Sequence, residues 1–279
     1  MDKRTTPARA DVAAASLKGA VEAASYREGE RREAARPATG LRTGPGAAEA
    51  LQTELLFGEA FTVYDEADGW AWGQAERDGY VGYVEAPALR APGGAPTHSV
   101  SAPLAAIYDA PSGKARATAW LSMNASLSVS GAAEAGFLPV QGGGFVFAEH
   151  AAPSGAFEQD HVAVAERFLG APYVWGGRRG AGLDCSALVQ AALYRTGRDC
   201  PRDSDQQFAA LGAPIEAEAR QRGDLVFWKG HVAILRDTET IVHANATHMA
   251  VSIDPLDAFA GRVEAETGLI IGYRRLASR

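Results

Sequence analysis

Two cysteines, Cys185 and Cys200, are all that 279 residues contain. They allow at most one disulfide, which excludes a disulfide-stapled scaffold. Long apolar runs are also missing: no uninterrupted stretch approaches the roughly 20 residues of a helical membrane span, so no membrane partner is expected. Positive charge is in deficit, with 27 Lys and Arg against 34 Asp and Glu and a net charge of −7. That balance excludes a sequence-independent grip on nucleic acid. The opening segment, "MDKRTTPARADVAAASLKGAVEAAS", is broken by Asp11, Lys18 and Glu22. It therefore lacks the continuous apolar core of a secretory leader, and the expected location is the cytoplasm.

The chain does contain the composition of a folded protein, 47% hydrophobic and 22% charged, at a length that suits two or three domains. Residues 1–30 are rich in Ala, Arg and Glu and read as an arm or short helix. A loose repeat follows. "ARPATGLRTGPGAA" (35–48) echoes "SAPLAAIYDAPSGK" (101–114), and residues 55–85 echo 119–149. Short strand-like runs ("FTVY", "WAWGQ", "GYVGYV", "FLPVQ", "GFVFA") alternate with Gly, Asp and Pro turns, the pattern of a small all-β barrel occurring twice. The expected boundaries are 31–92 and 97–153, joined by "RAPGGAPTHS". From 158 to 279 the pattern changes. "DHVAVAERFLG" and "CSALVQAALYRTG" have helical spacing with a terminal Gly. They are followed by strands through "GDLVFWKGHVAILRDTETIVHAN" and "LIIGYRRL", an α+β arrangement.

Cys185 opens the second of those helices, where unpaired N–H groups and the helix dipole stabilise a thiolate. Its pKa is therefore expected to fall. Asp184 beside it reads as an N-cap or a substrate acceptor. Two histidines lie on the strands, His231 in "KGHVAIL" and His243 in "TIVHANA". A hairpin folded about Asp237 would make them direct cross-strand neighbours, giving a nucleophile, a base and a group that orients the base. The same four residues, Cys185, Cys200, His231 and His243, could instead be zinc ligands, but no C-x₂₋₄-C or H-x₃₋₅-H pairing supports that. Cys200 reads as structural; His98, His150, His161 and His248 read as ordinary polar residues. Trp70, Trp72 and Tyr83 read as barrel core or packing, and core is also the alternative for Tyr80.

These motifs, "FLGAPYVWGGRRGAGLDCSALVQ", "PRDSDQQF", "RGDLVFWKGHVAIL" and "IVHANA", resemble the NlpC/P60 cysteine peptidases, whose core is papain-like. The resemblance covers 158–279, and Ala187 departs from it where many members have Gly. It implies a Cys185 nucleophile, a His231 base, a His243 orienter and Tyr173 beside the oxyanion, with no metal or organic cofactor. The upstream repeat is similar to tandem bacterial SH3-type barrels. The whole layout resembles γ-D-glutamyl-L-diamino-acid endopeptidases that trim cell-wall peptides with a free N-terminal L-Ala. The resemblance then implies a murein-peptide substrate, taken up in peptide recycling. Asp184, Ser186, Trp175, Asp203 and Ser204 would line the pocket for it, with Tyr80 and Glu54 of the first barrel on the amine. The second barrel lacks the matching tyrosine and reads as packing. Two other functions remain in view: a catalytically silent wall-binding module, and a thiol amidase or acyltransferase on another substrate.

Overall fold

Asp68 and Gly69 both take left-handed φ, 50° and 80°, the backbone that a two-residue hairpin loop with the twist of its strands demands. That loop joins strands Ala60–Ala67 and Trp70–Ala75 and anchors the sheet of the first β-module. The computed structural model describes residues 1–277 and divides into two units, Met1–Ser154 and Gly155–Arg279. Residues 278 and 279, the end of the third sequence region, lie outside the described residues.

The first unit holds two small β-modules. In one, seven strands order as Leu51–Leu56, Ala38–Arg42, Val81–Glu85, Trp70–Ala75, Ala60–Ala67, Glu30–Ala34 and Leu89–Arg90. Alternate positions on these strands turn inward, so Leu41, Leu55, Phe61, Val63 and Val84 form one apolar cluster, which Tyr80 joins from just before the strand Val81–Glu85. In the other, a four-stranded and a three-stranded sheet run between His98 and Pro153. They enclose a second cluster with Val100, Ile107, Leu121, Leu127 and Val146. The amino-terminal arm is almost without helix, its one helical piece being the 3-10 turn Ala15–Leu17. It lies on the first β-module: the Val81 N–H donates to the Arg4 carbonyl at 2.7 Å. The Arg9 guanidinium stacks 4.6 Å from the centre of the Trp72 ring and donates to the Tyr83 hydroxyl and the Asp65 carboxylate.

The second unit is α+β. Its helices are α1 (His161–Glu166), α2 (Cys185–Arg195), α3 (Ser204–Ala210) and α4 (Leu256–Thr267). Its antiparallel sheet comprises β1 (Ala213–Ile215), β2 (Leu225–Trp228), β3 (His231–Leu235), β4 (Thr240–Asn245), β5 (Ala250–Pro255) and β6 (Gly272–Arg275). The order across the sheet is β1-β6-β2-β3-β4-β5. Every residue of α2 is buried, which is why its sequence is apolar almost all round rather than striped. On one face of the sheet Leu256, Phe259 and Val263 of α4 join Trp228, Ala233, Leu235 and Ile241 in a single core. By strand alternation Val232, Ile234, Val242 and Ala244, all buried, lie on the opposite face.

Candidate active site

The position of Cys185 is set locally. Strands Arg178–Arg179 and Gly182–Leu183 pair antiparallel and deliver the chain to Asp184, the N-cap of α2, so that Cys185 is the first helical residue. The Asp184 carboxylate accepts from the Ala187 N–H at 2.9 Å and from the Gly176 N–H at 2.9 Å. Arg202 grips both of its oxygens, at 2.9 and 2.6 Å, and Ser186 Oγ donates to it at 3.2 Å while accepting from Arg202 at 2.8 Å. Arg202 is 1% exposed, and a buried guanidinium persists only when paired and bonded in this way. Asp184 is thus the N-cap that its place before Cys185 suggests, and with Ser186, also buried, it fixes the start of α2. Arg202 was missed, because a single arginine after proline carries no periodic or spacing signal.

The thiol departs from the expected fall in pKa. Cys185 is 6% exposed, and burial together with the neighbouring Asp184 charge pushes its pKa up to about 12. The N–H groups of Val232 and Ser186 and the Arg202 charge oppose that rise without cancelling it. Desolvation therefore outweighs the helix terminus. The resting group is a thiol, not a thiolate. The Val232 contact also locates the sulfur: it sits beside the strand residue that follows His231.

His231 is placed by a two-residue loop. Trp228 pairs with His231, and Gly230 closes the turn with a φ of 77°. The next hairpin pairs Ile234 with Val242 and Leu235 with Ile241, so it is centred on Thr238 and not on Asp237. Asp237 instead bonds the turn, accepting from the Glu239 and Thr240 N–H groups at 2.8 and 2.7 Å. Extending this register sets His243 opposite Ala233, and the two histidines become diagonal neighbours on one face, a separation that ring side chains still span. Their rings meet: His231 Nε2 and His243 Nδ1 are 2.8 Å apart. Phe259 of α4 lies against both, 4.3 Å from the His243 ring and 5.3 Å from that of His231.

Beyond His243, which is fully buried, the bonding continues. His243 Nε2 lies 3.0 Å from Asp254 Oδ2. That carboxylate also accepts from Ser252 Oγ at 2.9 Å and faces His248 Nε2 at 3.2 Å and Arg262 at 3.6 Å. Burial, with the His243 ring adding to it, depresses His231 to about 3. Burial likewise takes His243 down to about 4, against the pull of Asp254. Burial works against the Asp254 charge, but hydrogen bonds from His243, Ser252 and His248 outweigh it and hold the group at about 2. At neutral pH the arrangement is thus a thiol, two neutral imidazoles and a carboxylate. Asp254 was not singled out by sequence, and His248 was read there as an ordinary polar residue. The available signal was the alternation in "AVSIDP", which puts Ser252 and Asp254 on one face of the strand beside β4.

The remaining candidates are scattered by role. Tyr173 is half-buried and donates its N–H to the Met249 carbonyl at 2.9 Å. Burial raises its hydroxyl pKa, and the nearby Asp184 charge adds to the rise, so it stays a proton donor. Trp175, on the same loop, is 70% exposed. Asp203 is the N-cap of α3, with Gln206 reaching back to its N–H at 3.3 Å, and Ser204 is the first residue of that helix; both are half-buried. In the first unit, Tyr80 belongs to the barrel core and donates to Gln52 at 3.3 Å. Glu54 is buried on its strand opposite Gly40. Cys200 is buried too, its sulfur 3.3 Å from Gln207 Nε2.

Residues 170–261 match the NlpC/P60 family model, and residues 41–89 match that of the bacterial dipeptidyl-peptidase Sh3 domain. The second β-module falls outside both. A protein of Bacillus cereus named gamma-D-glutamyl-L-lysine dipeptidyl-peptidase is 28% identical over 253 residues, 79% of this chain and 75% of its own length. A Bacillus subtilis protein of the same name is 28% identical over 73% of this chain and 75% of that one. In shape, the chain is similar to the crystal structure of an NlpC/P60 family protein from Bacillus cereus. The TM-score is 0.76 at 21% identity, over 88% of this chain and 99% of the other.

Proposed function

Starting from an NlpC/P60 peptidase domain with a bacterial SH3-type domain in front of it, we propose that this peptidoglycan peptidase is a cysteine endopeptidase. The bond cut joins γ-D-glutamate to the diamino acid of cell-wall peptides with a free N-terminal L-Ala. The observation that carries the reading is the hydrogen bond between His231 and His243, with the thiol at the first residue of a buried helix meeting the N–H of Val232, the residue after His231. The names of the two Bacillus relatives support the choice of bond.

In this mechanism His231 takes the Cys185 proton as the sulfur attacks the γ-carbonyl carbon. The S–C bond forms and the carbonyl electron pair moves to oxygen. N–H groups in the first turn of a helix have no intrahelical acceptor. Asp184 takes that of Ala187, and the Cys185 N–H is left to meet the oxyanion together with the Tyr173 hydroxyl. His231 then protonates the departing amine, the C–N bond breaks, and the same ring activates water to release the acyl group. A thiol held near 12 beside a base held near 3 disfavours a standing ion pair. The proton therefore moves in concert with attack, when the new bond removes the sulfur's negative charge. Asp203 and Ser204 at the start of α3 serve the ammonium end of the peptide, and exposed Trp175 forms an apolar wall. A second SH3-type barrel in the first unit and a cytoplasmic recycling role complete the proposal.

The test is product analysis by mass spectrometry on L-Ala-γ-D-Glu-diaminopimelate, its lysine counterpart and their N-acetylated forms. The expected products are L-Ala-D-Glu and the free diamino acid, from the free-amine peptides alone. Equal cleavage of the acetylated peptides would overturn the end recognition. Retained binding without products would favour a silent wall-binding module.

A further inference from the structure

We propose that Asp254 is a positioning residue for the reaction, the far end of a proton-ordering chain that selects which nitrogen of His231 is basic. The inference rests on the cysteine-peptidase reading above and adds a group that neither the sequence motifs nor the thiol's surroundings point to.

An ionised carboxylate only accepts, so the 3.0 Å contact to Asp254 Oδ2 obliges His243 Nε2 to carry a proton. In the neutral ring the other nitrogen, Nδ1, is then an acceptor. The 2.8 Å contact from His243 Nδ1 to His231 Nε2 in turn obliges His231 Nε2 to carry its proton. Its Nδ1 is left bare, as the nitrogen able to receive the Cys185 proton. Without an acceptor beyond His243, either order of donor and acceptor along the chain satisfies the imidazole pair, and in one of them His231 Nδ1 is protonated and cannot act.

Asp254 is built to stay ionised in this role. It is 5% exposed, and the groups that face it are His243 and Ser252 from the sheet, His248 from the loop between β4 and β5, and Arg262 from α4. All four are donors or cations. Ser252 Oγ shares Oδ2 with His243, while His248 and Arg262 occupy Oδ1. The carboxylate is therefore held at both oxygens, with its bond to His243 aimed along the chain toward His231. A positioned second partner of this kind commonly sets the tautomer of a functional histidine.

The experiment is nitrogen-15 NMR of the imidazoles in the resting full-length protein at neutral pH, alongside kinetics on the free-amine peptide. In the wild type both His231 and His243 are expected as Nε2–H tautomers. In Asp254→Ala the two tautomers of His243 mix and His231 Nδ1 becomes partly protonated. Turnover falls about a hundredfold, the low end of what a general base contributes, with KM within about twofold. Asp254→Asn keeps an acceptor oxygen at nearly the same volume and is expected to restore most of both signals. Unchanged tautomers in a folded Asp254→Ala protein would overturn the proposal, and so would wild-type His243 found as the Nδ1–H form, a result that needs no variant to fold. Because the spectra require no substrate, expected tautomers in a protein that leaves the peptide intact would sustain the role of Asp254 while removing the substrate reading.

Discussion

Arg36 and Glu85 in the first β-module meet at 2.6 Å with about half of each side chain in solvent, 50% and 47%. Arg202 and Asp184 in the second unit also meet at 2.6 Å, but with 1% and 9% exposed. Equal distances conceal unequal physics. The exposed pair exchanges one hydrated geometry for another, and such pairs contribute about 0–1 kcal/mol. The inner pair has given up its water, so either partner left alone would be an uncompensated buried charge. Surface pairs occur in both units, Arg31–Glu76 in the first and Arg222–Asp160 in the second, but Arg202–Asp184 and His243–Asp254, with both partners buried, lie inside the second. Buried polar bonding gathers near the thiol because holding it and two rings in register needs directional contacts that apolar packing does not supply.

The contrast can be broken most decisively at the sulfur. Cys185→Ala is expected to keep its fold and circular dichroism while peptide cleavage drops by at least about a thousandfold, as loss of an attacking group does. Cys200→Ala should retain turnover; comparable loss in both variants would mean the assay follows folding and not attack. Next comes Arg202→Met, which strands the Asp184 carboxylate and should lower stability by about 3–5 kcal/mol in urea titrations. A loss below about 1 kcal/mol would show that water reaches this pair and that the comparison with Arg36 is false.

Acid should act on the same interior. His231 and His243 titrate at about 3 and 4 when folded, against an ordinary 6.5, so the unfolded chain binds protons first as pH falls. Stability is therefore whole above about pH 6.5 and declines toward pH 4 and below. Denaturant midpoints at pH 7.5, 6 and 4.5 would trace it. His243→Asn should flatten the slope, and an unaltered slope would assign the decline to other groups. Smallest of all is Arg36→Ala, expected to change stability by no more than about 0.5 kcal/mol, and a shift beyond about 2 kcal/mol would remove the distinction between the two regions.

Much of the site could be read from linear order. Asp184 before Cys185 announced a capped helix, and the even interval of twelve between His231 and His243 placed both rings on one face for any hairpin of even register. Whether they sat directly or diagonally opposite depended on the turn, where the Asp237 carboxylate bonds Glu239 and Thr240 and moves the centre to Thr238. The strand runs of the two β-modules were legible for a similar reason: alternation and Asp-Gly or Gly-rich turns are local signals. Tyr80 was not, since a tyrosine beside a turn looks the same whether its ring enters a core or faces a ligand.

Residue order alone was enough for the place of Cys185 at a helix start and the shared face of two imidazoles, because each follows from short-range geometry within a dozen residues. The protonation state of that thiol and the identity of its distant supports came from folding. Burial raised the thiol where the helix end would have lowered it. Arg202 and Asp254 acquired their roles only when packing brought them to Asp184 and His243. Desolvation and charge pairing depend on everything that surrounds a group in space, and neighbours in space are what a linear order of residues does not list.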